Sequence, residues 1–349
     1  MNLFLTIYAC FLFCCTLLPL VRNDYWIFRV FDYPRLQKLA LVLLCLVLWA
    51  VFYHGLVLVY WGIGLALLLN AAYLLSLILP FTALGKKQVL AAGAPIPEQS
   101  ISLMIANVYE FNPNKEGCVA EVRKADPDVV ILLEANEVWE QHTRVLENDY
   151  AYHVKVPLNN TYGLILYAKL ELSDTEVKYL VEEGIPSIHT KIRLPNGQQI
   201  QFYAVHPTPP VPNENVRSTE RDKELLIIAD LAKASNLPVI VAGDLNDVAW
   251  SHTTELFLKM SGLLDPRRGR GFFNSFNAHY PFLRFPLDHA FSSTHFKLRQ
   301  IKRLHNFGSD HFPIFLNLQY EQLAAVEQKP MQPDADEIEE AEEKKAKEV

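Results

Sequence analysis

The chain has 349 residues, with 32 Lys and Arg against 39 Asp and Glu, and a formal net charge of −7. That length accommodates one full-sized catalytic domain plus an appendage. Residues 321–349 hold ten acids and four lysines, −6 of that charge, so the rest is near neutral, which argues against a protein that holds nucleic acid mainly through a broad basic face.

Leu3 to Val21 is apolar and uncharged, close to the roughly 20 residues that cross a bilayer. Arg22 to Lys38 is mixed and carries Tyr25, Trp26, Phe28, Phe31 and Tyr33, an interfacial amphipathic pattern. Leu39 to Pro80 is long enough for two further spans, with a turn near Tyr53-His54-Gly55. Residues 1–84 are therefore expected to be a membrane anchor of about three transmembrane helices, multi-pass in the bilayer. A cleaved signal peptide before a buried hairpin is the competing reading. It is disfavoured because no basic start precedes Leu3 and the second apolar run is too long for a soluble core helix. Arg22, Arg29, Arg35 and Lys38 in the first loop, with Lys86 and Lys87 after the third span, put the following domain on the cytoplasmic side by the positive-inside rule.

Residues 85–99, rich in Gly, Ala and Pro, read as a linker. Short β-like runs then alternate with helical ones. The pattern predicts strands at 100–107, 129–133, 163–168, 188–193 and 201–205, with Asn196-Gly197 as a hairpin turn between the last two. It predicts helices at 117–125, stopped by Pro127, and at 217–233. Further strands are expected at 238–242, 287–291 and 312–318. Strands following strands with few helices between them imply an α/β fold, a four-layer sandwich of two packed β-sheets flanked by helices, over residues 100–320. Residues 321–349 read as an acidic tail, disordered or a frayed charged helix.

Of the five cysteines only Cys118 lies in the globular part, which excludes an intradomain disulfide or a cysteine metal site there. The chemistry-bearing residues fall at strand ends instead. Asn107, Glu134, His206, and Asp244 with Asn246 each follow an apolar run. Asp288 and His289 begin one, and Asp310 and His311 precede the last. Their strands are core, so their ends share one rim, where ligands tend to sit. Glu134, Asp244, Asp310, Asn107 and Asn246 are hard oxygen donors suited to Mg²⁺ or Mn²⁺ and phosphate. Two histidines, His206 and His311, can flank a phosphorus centre, one deprotonating water and the other binding phosphate or protonating the leaving oxygen. Each item alone is weak, since an Asp-His pair is more often a surface turn and Gly243-Asp-Leu-Asn246 can simply be a turn.

The strings Ile105-Ala-Asn-Val108, Leu132-Leu-Glu-Ala135, Tyr162-Gly-Leu-Ile165, Val205-His-Pro207, Gly243-Asp-Leu-Asn246, Leu287-Asp-His-Ala290 and Gly308-Ser-Asp-His311, in this order, resemble the endonuclease/exonuclease/phosphatase family. The resemblance runs from about Ser100 to Tyr320. It implies a Mg²⁺- or Mn²⁺-dependent phosphoric ester hydrolase. Glu134 would be the principal metal ligand, with Asn107 and Asp310 beside it. His311 would be the general base, oriented by Asp288. Asp244 and Asn246 would handle nucleophile and phosphate, and His206 would bind phosphate or act as acid. Tyr109 and Glu110 stand where some members place a second acid, and His206 has no carboxylate partner evident in sequence. The substrate would be a phosphoester (phospholipid, nucleic acid or small molecule) and the other partner a lipid bilayer, with no protein partner predicted. His206-Pro-Thr-Pro-Pro210, the helix near Arg217 and Asp244 to Trp250-Ser251 resemble a bacterial branch in which this domain follows about three spans. That implies the bacterial inner membrane, with the domain outside it, opposite to the charge count. A membrane-anchored scaffold that kept the fold and lost activity is the alternative from another class.

Two further features carry paired readings. Arg267, Arg268 and Arg270 either grip a phosphate or lipid head group or form a solvated turn. Trp250, Phe272, Phe273, Phe276, Tyr280 and Phe282 either pack in a core or face substrate or membrane.

Overall fold

Three helices long and apolar enough to cross a membrane open the chain: Asn2–Leu20, Arg35–Phe52 and Val57–Phe81, with mean hydropathies of 2.3, 2.0 and 2.1. In the computed structural model, which describes residues 1–349, they pack along a seam of Ala9, Leu12, Val42, Cys45, Trp49, Leu67 and Leu74. The Trp49 indole donates to the Tyr60 carbonyl across 3.0 Å. The His54 N–H donates to the Asn2 side chain at 3.2 Å, so the N-terminus and the turn at 53–56 share one end of the bundle. The other end gathers the close of the first helix, the start of the second and the close of the third, and there the chain enters its globular part.

The globular part holds eleven strands. They are β1 (Ser100–Asn107), β2 (Val129–Leu133), β3 (Tyr152–Val156), β4 (Leu164–Ala168), β5 (Leu172–Lys178), β6 (Ser187–Arg193), β7 (Gln199–Val205), β8 (Val239–Asp244), β9 (Asp288–Ser292), β10 (Phe296–Arg303) and β11 (Ile314–Tyr320). They form a six-stranded sheet, β10-β11-β1-β2-β4-β3, and a five-stranded sheet, β5-β6-β7-β8-β9. Alternate residues of each strand face opposite sides, and both sides are apolar. Leu103, Ile131, Leu166, Phe202, Ile240 and Leu316 meet between the sheets. Met104, Leu132 and Tyr167 face Trp139 and Val122 of the helices on one outer side. Val205, Val241 and Phe291 face Leu225 and Phe257 of the helices on the other. The result is the expected four-layer sandwich, each large buried side chain contributing roughly 1.5–3 kcal/mol of burial.

Register builds the functional rim. β1 and β2 run parallel with Asn107 level with Leu133, so Glu134 emerges beside Asn107. β7 and β8 run parallel with Val205 level with Gly243, so His206 and Asp244 emerge together. β8 and β9 are antiparallel with Asp244 opposite Asp288.

One expectation on organisation is corrected and another is narrowed. Residues 85–99 are not a loose linker. Val89 is fully buried in the inter-sheet core, the Ala92 N–H donates to the Leu298 carbonyl, and the Leu298 N–H donates to Leu90. Of the two readings of the acidic tail, the charged helix is the one found: Ala335–Ala346 is a helix with a capping box from Asp334 and Glu337. Its charges find partners. Lys344 is buried against Asp222 (2.7 Å) and Asp24 (3.3 Å), Glu337 pairs with Lys259 and Glu340 with Arg22, while Ala341 enters the core.

Candidate active site

Backbone geometry at the rim is demanding. Glu134 (φ 59°) and Asn246 (φ 50°) both lie in the left-handed region, a cost of roughly 1–3 kcal/mol each for a residue with a side chain. Neighbouring bonds hold Glu134: the Val108 N–H donates to the Leu133 carbonyl at 2.9 Å and the Ala135 N–H to Gly163 at 3.0 Å. Asn246 is held by its N–H on Asp244 Oδ1 (2.9 Å) and its side-chain amide on the Pro207 carbonyl (2.9 Å). A Cβ on Gly243 would overlap the Val205 carbonyl, and one on Gly163 the Ala135 carbonyl. Only glycine lets these strands close up beneath the site.

Glu134, Asp244, Asn246, Asp310 and His311 line one cavity of about 370 Å³. Asn107 lies behind, its amide donating to Glu134 Oε1 (2.8 Å) and Asp244 Oδ2 (3.1 Å). Its carbonyl accepts from the Tyr109 N–H, so in this state Asn107 ties two carboxylates together rather than offering its oxygen to the cavity. His311 Nδ1 lies 2.8 Å from Asp288 Oδ2 and its Nε2 3.6 Å from Asp244 Oδ2. The Ser309 hydroxyl donates to the Asn107 main-chain carbonyl and accepts from the His311 N–H, which ties the last strand to the first.

The electrostatics follow. Burial opposes charge on His311, but Asp288, then Asp244 and Asp310, outweigh it and raise its pKa to about 10. Burial pushes Glu134 up to about 7, with the Asn107 amide and the His311 charge opposing. His206 is buried, 5.1 Å from the Tyr162 ring. Burial lowers it to about 4, so it is neutral at pH 7. Its Nδ1 has no partner, and it does not line the cavity. Glu110 turns away, its carboxylate accepting from Asn136 and the Thr161 N–H.

No Lys or Arg nitrogen lies within 4.0 Å of Glu134, Asp244 or Asp310. Clustered carboxylates without a cationic side chain, backed by amides, form a donor set that fits a hard divalent cation. Asp244, Asp288 and His311, with donor atoms within 4.8 Å of one another, form a second candidate cation set.

The family model described as "Endonuclease/Exonuclease/phosphatase family" matches residues 104–311, more than half of the chain and every residue of this constellation. The chain belongs to the endonuclease/exonuclease/phosphatase family. Solved structures agree on the fold. Danio rerio TDP2 complexed with a single-strand DNA product is 17% identical, covering 63% of this chain and 99% of its own, with a TM-score of 0.53. An endonuclease/exonuclease/phosphatase from Beutenbergia cavernae is 18% identical over 64% and 72%, TM-score 0.52. The human Nocturnin catalytic domain with bound sulfate is 16% identical over 65% and 96%, TM-score 0.52. No curated protein matches the chain.

On this family fold the cavity has walls that strand-end reasoning missed. Trp26, Val30 and Tyr33, from the stretch between the first two apolar helices, line it. The Tyr33 hydroxyl donates to the Asn246 carbonyl at 2.8 Å, and Arg221 donates to the same oxygen at 2.9 Å. The aromatic content of 22–38 was the only signal, and it suggested a membrane interface rather than a site wall. The arginine cluster answers to neither of its two readings. Arg267 is buried in a two-pronged pair with Asp265 and contacts His289, Arg270 donates to the Val89 carbonyl, and Arg268 lies over the Phe81 ring. The aromatic cluster divides. Trp250 is buried with Phe81 and Phe285, with Phe272 and Phe276 packed against them, while Tyr280 and Phe282 are exposed.

Proposed function

We propose that the chain is a membrane-anchored, divalent-cation-dependent phosphoesterase in which His311 activates the attacking water. The observation that carries this reading is the imidazole set between Asp288 and Asp244 on the same cavity as Glu134 and Asp310. Glu134 and Asp310 would hold Mg²⁺ or Mn²⁺, and Asn107, whose side-chain oxygen accepts from the Tyr109 N–H, would join them only by turning its amide over. Such an ion neutralises charge on the phosphoryl oxygens and positions the phosphorus.

The chain's own residues do the rest. Asp288 fixes the Nδ1–H tautomer and leaves Nε2 free to take a proton from water. Asp244 Oδ2 lies close enough to Nε2 for one water to contact both. Asn246, held left-handed by its bonds to Asp244 and Pro207, lines the cavity where the phosphate would sit, and neutral His206 follows the strand beside that of Asp244. A base must start deprotonated, whereas the surrounding carboxylates hold His311 charged. With a cation on Glu134 and Asp310 the ring feels less negative field and gives up that proton more easily.

The test is hydrolysis of bis(p-nitrophenyl) phosphate by the full chain in detergent with Mg²⁺ or Mn²⁺. Glu134→Ala and His311→Ala are each expected to lower turnover by about 10²–10⁴ with the thermal transition still cooperative. Wild-type turnover in either folded variant sinks the reading and favours the scaffold alternative.

A further inference from the structure

The cavity has a polar floor and an apolar rim, and the rim belongs to the anchor. Glu134, Asp244, Asp310 and His311 form the floor, while Trp26, Val30, Val211 and Phe276 stand around them in the same cavity. Trp26 and Val30 lie between the first two apolar helices, within ten residues of Leu20 and Arg35, where those helices end and begin. The opening therefore sits at the level of the helix ends, where a bilayer surface would lie.

Three contacts fix this placement. The Tyr33 hydroxyl donates to the Asn246 carbonyl. The Trp250 indole donates to the Asp32 carbonyl at 2.9 Å. Gln37, in the first turn of the second helix, donates to the Phe282 carbonyl at 2.8 Å. Phe282 is 89% exposed, and Leu283, Ile27 and Val30 are also exposed. Exposed apolar side chains thus lie beside the helix ends, Val30 in the cavity wall itself and Phe282 on the segment bonded to Gln37.

Charge decides the substrate class. No lysine or arginine lines the cavity. Proteins that take nucleic acid track its backbone with such residues, and none lines this cavity. A volume of about 370 Å³ is that of a small-molecule site, enough for one phosphorylated head group.

We propose that the substrate is a phosphodiester lipid of the bilayer that holds the anchor, its head group on the carboxylate floor and its glycerol or sphingoid end against Trp26 and Val30. This rests on the phosphoesterase reading above. The step is a hydrolysis without redox change. The oxygen of water bonds to phosphorus and its proton goes to His311. The bond from phosphorus to one ester oxygen breaks with its electron pair on that oxygen, which takes a proton from solvent water and leaves as an alcohol, while His311 later returns its proton to solvent.

The full chain, reconstituted with Mg²⁺ or Mn²⁺ into vesicles of phosphatidylcholine with phosphatidylglycerol or with sphingomyelin, tests this. Head-group release is read by mass spectrometry. Release from a dispersed short-chain analogue of the same lipid, p-nitrophenol from bis(p-nitrophenyl) phosphate and cleavage of a single-stranded oligonucleotide are read beside it. At least one vesicle lipid should turn over about tenfold faster than its dispersed analogue. In Val30→Glu, which puts a charge in the apolar wall, the ratio of lipid to nitrophenyl turnover should fall about tenfold or more. Where Val30→Glu loses nitrophenyl turnover as well, Val30→Thr replaces it, with a smaller fall expected and an unchanged ratio overturning the proposal. Nitrophenyl turnover without lipid turnover, or an oligonucleotide cut faster than any lipid, overturns the lipid inference alone. No turnover of any substrate overturns the phosphoesterase reading and this one with it.

Discussion

His311 and Glu224 show two outcomes for a buried titratable group. The imidazole has carboxylates on both nitrogens, so its charge is compensated and kept. Glu224 has no such partner: it is buried, its Oε1 is unbonded, and burial, with the charge of Glu182, pushes it up to about 8. Its folded pKa thus lies above its unfolded value. The folded state holds the proton in the window between them, and stability present at low pH is lost as pH rises through 8. Between pH 6 and pH 9 this one residue should remove on the order of 2 kcal/mol. Glu224→Gln keeps the shape and has no proton to lose. Its thermal midpoint, compared with wild type in the same detergent, should be nearly equal near pH 4, below the unfolded value, and higher by several degrees at pH 9. A wild-type curve parallel to the variant's across that range would refute it. The rim residues were legible in sequence because each abuts an apolar run that ends abruptly in an acid, amide or imidazole. Glu224 was not, since a glutamate inside an amphipathic helix carries no mark of which way it faces.

Among elements, the strands missed in sequence are β3, β5 and β10, and all three are sheet edges. An edge strand has only one hydrogen-bonded neighbour, and here much of each is open to solvent. Leu172–Lys178 is exposed over most of its length, so no apolar run announces it. The central strands β1, β2, β4 and β8 are covered on both faces and read as continuous hydrocarbon. For the tail helix Ala335–Ala346 the choice between helix and disorder stayed open in sequence for a related reason. It is a charged sequence whose partners are charges far away in the chain, and composition cannot show pairing. Lys344 bridges Asp222 and Asp24, both buried, and with Arg221 holds Asp222 below the usual carboxylate range against its burial. Removing one member of a buried pair leaves the others uncompensated. Lys344→Ala should therefore cost roughly 3 kcal/mol. Lys345→Ala, which loses pairs to the more open Asp230 and Glu342, should cost under about 1 kcal/mol. Chemical denaturation of both variants checks the contrast, and equal losses would contradict it.

At the scale of the whole molecule, the three apolar helices and the globular part are welded rather than tethered. Phe81, at the close of the third apolar helix, packs with Trp250, Phe285 and Leu287 of the globular part, and Tyr33 joins them. Residues 85–99 then lie along the sheet, their backbone bonded to Leu298. Composition could not show this, because a Gly, Ala and Pro-rich stretch reads the same whether it hangs free or lies on a surface. The arrangement fixes a relation between loops that is independent of which compartment each faces. If the three apolar helices span, residues 18–34 and the globular part share one side, and the turn at 53–56 lies on the other, beside Asn2. In a chain stripped of its five cysteines, Asn23→Cys and Gly93→Cys should react with a membrane-impermeant maleimide from the same side of sealed vesicles, and Leu56→Cys from the opposite side. Asn23 and Leu56 are exposed, and a Cβ at Gly93 meets open space, so none of the three reports burial instead of sidedness. Labelling of all three from one side would remove the spanning arrangement, and with it the bilayer surface against which the cavity opens.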